Sequence, residues 1–179
     1  MKSFRILTLP DWRGAGPAHW QSRWEHLHGH QRLEQHDWQR PLRGDWSARL
    51  QEAVIDSDRP VVLVAHGLGC VLAAWWAAHS GQVHRVQAAL LVAPADTESD
   101  PLRQRLQGWA PIALPALPFA AAVVGSHNDP HCALARAQQL ASAWGARWVD
   151  AGHCGPLNAE SGLGDWVQGH ALLASLKKD

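Results

Sequence analysis

A buried-looking run, Pro60-Val-Val-Leu-Val-Ala65, passes through His66-Gly67-Leu68-Gly69-Cys70 directly into an Ala-rich apolar stretch. A strand entering a helix through so tight a turn is the layout of a nucleophile elbow. There the pattern G-x-S-x-G exposes a hydroxyl above a sheet and points a helix N-terminus at the developing oxyanion. Here the nucleophile position holds Gly67, which has no side chain to attack with. Downstream, Asp129 lies in an Asn-Asp-Pro turn, where the chain order nucleophile, acid, base expects the acid. Cys70, Ser126 and His153 are the neighbours from which nucleophilic chemistry would have to be rebuilt. Each also has a structural reading, as a core cysteine, a turn serine and a solvent-exposed loop histidine.

The remaining histidines raise the question of a metal. His66, His127, His131 and His153, with Cys132 and Cys154, all fall near expected strand ends. The spacing argues against a metal site, because Pro130 interrupts the 127/131 pair and prevents a helical i,i+4 arrangement. No metal and no cofactor are expected. His19, His26, His28, His30 and His36 are expected on a solvated face.

These groups must be positioned by elements whose pattern is clear. Strand-type runs at 4–9, 32–36, 60–65, 87–93, 119–125 and 146–150 alternate with helical windows at 19–28, 47–57, 68–79, 132–144 and 164–177. Such alternation predicts βαβ units and a parallel sheet, and the third to fifth runs are continuous enough for burial on both faces. Residues 68–79 predict a buried central helix. The segment 98–118, with four prolines, reads as a short helix and a connection over the top of the sheet, the part best suited to vary or move.

Composition bounds the rest. The 179 residues suit one domain, 1–179, with its own core. Sixteen basic residues against sixteen acidic ones give no electrostatic case for nucleic acid or an anionic membrane. The longest apolar stretch, 113–124, is too short to span a bilayer and contains Pro115 and Pro118. Three cysteines without a C-x-x-C pattern suit a reducing compartment, so a cytoplasmic location is expected. Eleven tryptophans and no tyrosine are read as core filling rather than an aromatic binding cage.

Five segments together carry a resemblance. They are Leu9-Pro-Asp-Trp-Arg-Gly-Ala-Gly-Pro-Ala-His-Trp-Gln-Ser-Arg-Trp-Glu25, Ala65-His-Gly-Leu-Gly-Cys70, Val92-Ala-Pro-Ala-Asp96, Val123-Val-Gly-Ser-His-Asn-Asp-Pro-His-Cys132 and Asp150-Ala-Gly-His-Cys-Gly-Pro-Leu-Asn-Ala-Glu-Ser-Gly-Leu-Gly-Asp-Trp166. In order and spacing the chain resembles the small single-domain serine hydrolases of the α/β-hydrolase fold, the bacterial family that also includes retinoblastoma-binding protein 9. The resemblance implies a three-layer αβα sandwich of about six mostly parallel strands, in sheet order 2-1-3-4-5-6, with no cap domain.

It also implies a site, and the transfer fails at two of its three catalytic positions. The family serine falls on Gly67 and the family histidine on Pro156; only the acid, Asp129, remains. His153, three residues before Pro156, is the candidate substitute base. Glu160 and Asp165 look like family structure near the pocket and carry no assigned chemistry. Removing the nucleophile from a serine protease lowers turnover by about 10⁶-fold, so acyl transfer is not expected here. Main-chain donors do not depend on the lost side chains. The N–H of Leu68 and one from Asp11 or Trp12 are therefore expected to form an oxyanion-hole-like pair beside His66, open to a neutral carbonyl or a weakly held acid. The expected function is that of a non-hydrolytic binding or regulatory protein with a small-molecule ligand or protein partner. The alternative is an esterase or amidase of the same family acting on small substrates, either with a site rebuilt around Cys70, Ser126 and His153 or as an inactivated sequence of such an enzyme.

Overall fold

The computed structural model describes residues 3–177. Six strands, β1 (Arg5–Leu9), β2 (Gln31–Arg32), β3 (Val61–His66), β4 (Val86–Val92), β5 (Ala120–Gly125) and β6 (Arg147–Asp150), form one sheet. Its order is β2-β1-β3-β4-β5-β6 and every pair is parallel, as the resemblance implied. The strand order reverses beside β1, so the chain ends leaving β1 and β3 face each other across the carboxyl edge of the sheet.

All of β3 is buried, and its side chains alternate between two apolar layers. Val61, Leu63 and Ala65 face the layer built from α2 (Arg43–Ile55), α3 (Leu68–His79) and α5 (Leu134–Ala143). Val62 and Val64 face α1 (Trp20–His28) and α6 (Val167–Leu176). A strand covered on both faces has no use for polar residues, which is why this run reads as continuous apolar sequence.

Tryptophan fills both layers. Trp20, Trp24, Trp46, Trp76, Trp109 and Trp144 are fully buried. Each indole N–H finds an acceptor: Leu157 O, Asp165 O, Asp37 O, Gln51 Oε1, Pro41 O and Ala113 O respectively. The large apolar area of these six rings is thus buried without leaving an indole N–H unpaired.

Three expectations need correction. The second strand covers Gln31–Arg32 instead of 32–36, because Glu34-Gln35-His36 offers no alternating apolar face. Instead the chain turns at Asp37, whose Oδ1 accepts from the amides of Gln39 and Arg40. Helix α2 begins at Arg43, four residues early, with Asp45 in its first turn and the Arg43 guanidinium 3.4 Å from the centroid of the Trp75 ring. It ends at Ile55, and Ser57 instead forms a turn, donating its hydroxyl to Arg59 O. His19 and His30 are not on a solvated face; they are 4% and 7% exposed. His26, His28 and His36 are exposed.

The connection at 98–118 holds the short helix α4 (Asp100–Arg105) and is tied down beyond it. Trp109 is buried, donates to Pro41 O at 2.9 Å and accepts at its own carbonyl from Thr97 Oγ1 at 3.0 Å.

Candidate functional site

Helix α3 approaches β1 so closely that a Cβ on Gly69 would strike the Leu9 carbonyl oxygen. This contact fixes where the helix N-terminus lies. One residue before the helix, Gly67 has φ 55° and ψ −117°, a region that side-chain-bearing residues enter only under strain. The turn therefore has the backbone of an elbow and presents α3's first amides at the sheet's carboxyl edge.

What meets those amides is a side chain from the neighbouring strand end. Asp11, two residues past β1, accepts the Leu68 amide at Oδ1 at 2.7 Å and the Trp12 amide at the same oxygen, also at 2.7 Å. A Cβ on Gly67 would fall on the Asp11 carboxyl group. The two expected main-chain donors do converge, and the oxygen on which they converge belongs to this chain. Sequence reasoning named Asp11 for its amide and missed its carboxylate. The available signal was an acidic residue at the end of β1 opposite a glycine at the end of β3. An anion there suits the positive end of α3, which has no side-chain cap of its own.

The acid and base positions are not joined. Asp129 Oδ1 accepts from the His131 amide at 2.9 Å, and no histidine ring among the described residues hydrogen-bonds its carboxyl. Burial pushes that carboxyl above the usual carboxylate range, the Asp11 charge adds to the rise, and the His131 amide opposes it. Pro156 contributes its carbonyl, 2.8 Å from His66 Nε2. Because a carbonyl only accepts, Nε2 carries the proton, and buried Nδ1 has no partner among the described residues.

His19 packs its ring against His66, centroids 4.8 Å apart. Its Nδ1 accepts the Gln21 amide and caps α1, which leaves the buried Nε2 without a partner among the described residues. Burial, with the His66 and Arg32 charges in support, lowers its pKa to about 3.

The substitute candidates sit elsewhere. His153 is exposed and lies beside His127, centroids 5.0 Å apart, and His127 pairs with Asp150 at 2.8 Å. Ser126 is buried, donates to Asn128 Oδ1 and accepts the Cys154 amide, so its hydroxyl ties two loops together. Cys70 is fully buried with its thiol on Val92 O, and burial raises its pKa well above the ordinary value, so no reactive thiolate forms there. Asp165 is engaged with Arg23, and its carbonyl takes the Trp24 indole. Among the described residues no group of three or more His, Cys, Asp or Glu is placed to hold a metal ion, and no helix is long and apolar enough to cross a membrane.

A cavity of about 720 Å³ lies away from the elbow, between α6, β6 and the loop after β6. Val149, Cys154, Leu157, Trp166 and Leu172 give it an apolar lining.

The geometry has known counterparts. A protein described as a YdeN-like hydrolase from Pectobacterium atrosepticum is 30% identical over 97% of this chain and 90% of its own, with a TM-score of 0.85. The ydeN gene product of Bacillus subtilis is 19% identical, covers 98% of both chains and has a TM-score of 0.74. Esterase 2 of Thermogutta terrifontis shares the fold at 16% identity, over 96% of this chain and 81% of its own, with a TM-score of 0.65. No curated protein matches the chain in sequence. The serine hydrolase family profile matches residues 6–175, nearly the whole of the sheet and both helical layers, and the chain belongs to the serine hydrolase family.

Proposed function

We propose that this serine hydrolase family protein has lost Ser-His-Asp acyl transfer and serves as a non-hydrolytic binding or regulatory protein. The observation that carries this reading is the Asp11 carboxyl group, which lies where a side chain on Gly67 would stand and takes the Leu68 and Trp12 amides. A substrate carbonyl needs those same two donors to stabilise its oxyanion. Gly67 offers no nucleophile and Pro156 no base, so three features of the site oppose the reaction at once. The finer family placement, beside retinoblastoma-binding protein 9, rests on the five sequence segments. A cytoplasmic location belongs to the same proposal and rests on three unpaired cysteines.

The second reading, an esterase or amidase for small substrates, is favoured by one observation: two main-chain N–H groups still converge on a single point. Hydrolysis of short-chain p-nitrophenyl esters separates the readings. The protein is assayed beside the triple variant Asp11→Gly, Gly67→Ser, Pro156→His, with both folds verified by circular dichroism. Activity in the triple variant alone supports the binding reading. Enzyme-like turnover by the unaltered chain overturns it.

A further inference from the structure

We propose that the cavity between α6, β6 and the loop after β6 binds an organic cation, a primary amine carried on an apolar body of aryl or alkyl carbon. The inference rests on the reading of the chain as a binding protein and names the class of ligand. Its site is the cavity, not the elbow.

The cavity follows from how the helical layer ends. Helix α6 packs chiefly on β4 and β5. Strand β6 is four residues long and lies last in the sheet, so the layer of α1 and α6 runs out before the sheet does. Val124 and Val149, paired across β5 and β6, are left as an apolar floor.

The walls are held in place. Leu157 is fully buried, and its carbonyl takes the Trp20 indole N–H at 2.8 Å. The Trp166 ring lies so close to Gly169 that a Cβ there would strike it, and it stacks on Trp24 with centroids 5.7 Å apart. The space of about 720 Å³ has room for a small organic molecule. Walls already fixed need no ordering when a ligand arrives.

Charge selects the ligand. Asp150 ends β6 with its side chain half exposed at the rim, and among the described residues that line the cavity it alone is charged. Its Oδ1 accepts the Gly152 amide at 2.7 Å and its Oδ2 accepts from His127 Nε2 at 2.8 Å. These bonds, His127 first, hold the carboxyl below the usual carboxylate range. A carboxylate offers roughly four acceptor positions, so two remain for a ligand. A neutral apolar molecule would cover the charge and remove its water without replacing it, and an anion would be repelled. An ammonium group brings donors and the opposite charge, while its carbon body displaces water from Val124, Val149 and Leu157.

The full chain is titrated calorimetrically at pH 8 with 4-phenylbutylamine, 4-phenylbutanol and 4-phenylbutyrate, which differ in the charge of the head group. The amine is expected to bind most tightly and the carboxylate least, with the amine about fivefold tighter than the alcohol. In Asp150→Asn, with folding checked by thermal melt, the amine loses its advantage over the alcohol. Position is read from Cys154, whose partly exposed thiol lines the cavity and donates to Ala151 O at 3.0 Å, whereas Cys70 and Cys132 are buried. Saturating amine slows alkylation of Cys154 by iodoacetamide, followed by peptide mapping. The head-group series and the protection of Cys154 decide the matter on the unaltered chain even if the variant fails to fold. No binding of millimolar amine, equal affinity for the three probes, or unchanged alkylation of Cys154 at saturation overturns the inference and leaves the proposed function standing. Turnover of p-nitrophenyl esters by the unaltered chain overturns the proposed function instead.

Discussion

The carboxyl group of Asp11 occupies the space that a side chain on Gly67 would need, although the two residues lie on different strand ends. Each is thereby committed to the other. Gly67 leaves room for the carboxylate, and the carboxylate supplies the helix cap that glycine cannot.

Gly67→Ser is accordingly expected to destabilise the fold for two reasons. Its φ of 55° and ψ of −117° strain any Cβ, and the Cβ would collide with Asp11. Together these cost about 2–4 kcal/mol. In an Asp11→Gly background only the backbone term remains, about 1–3 kcal/mol. Urea denaturation of the single and double variants measures both, and strict additivity of the two substitutions would show that the contact is not made.

Asp11→Ala tests the other half of the pair. It removes a charged acceptor from the Leu68 and Trp12 amides and from the positive end of α3. A loss of about 1–2 kcal/mol is expected, the range of a helix N-cap with a charge contribution. The same variant should leave the two amides free to bind a carbonyl. Backbone amide resonances of Leu68 and Trp12 that shift on titration with a small amide in Asp11→Ala, and stay fixed in the unaltered chain, are the expected result.

The elements were legible in the sequence where local pattern and burial agree. Residues 68–79 form the helix expected of them because the Ala-rich run is apolar on every side and lies under the sheet's centre. Strand β2 was not, since two residues held by pairing to Leu7 and Thr8 have no periodicity of their own. The site was half legible. Chain order pointed to Gly67, Leu68 and Asp129, but the Asp11 carboxylate reaches its partner across 57 positions of sequence, and no local pattern encodes such a contact. His19 was misjudged for a related reason. Its role as the cap of α1 turns its ring inward against His66, which a count of polar residues on a helix face does not reveal.

Gly69→Ala is expected to be among the most damaging of small substitutions here. The added methyl meets the Leu9 carbonyl oxygen, a backbone atom that cannot swing aside, so α3 must lift from β1. A cost of about 3 kcal/mol or more follows, at the upper end of overpacking effects. Gly81→Ala, where nothing lies within 4 Å of the added carbon, is the control and should change stability by less than about 1 kcal/mol. Similar melting temperatures for the two variants would mean that the helix does not lie this close to the strand.

Acid should weaken the fold through its buried histidines. His19 has its pKa lowered from 6.5 to about 3, first by burial, and His30 to about 4, first by burial and then by His170, His28 and Lys177. In the unfolded chain both return to ordinary values and take up protons as pH falls below about 6.5, while the folded chain does not. Between about pH 6.5 and 4 the unfolded state therefore binds more protons, and stability drops as pH falls. For His19 the limiting slope is about 1.4 kcal/mol per pH unit. Below about pH 3 the folded form protonates as well and the His19 contribution levels off. Replacing His19 with Asn keeps a side-chain acceptor for the Gln21 amide and removes the titrating group. Its stability-against-pH curve should be shallower than that of the parent across pH 4–6.5. Parallel curves for parent and variant would show that His19 is protonated in the folded protein and that its burial is not what the packing against His66 indicates.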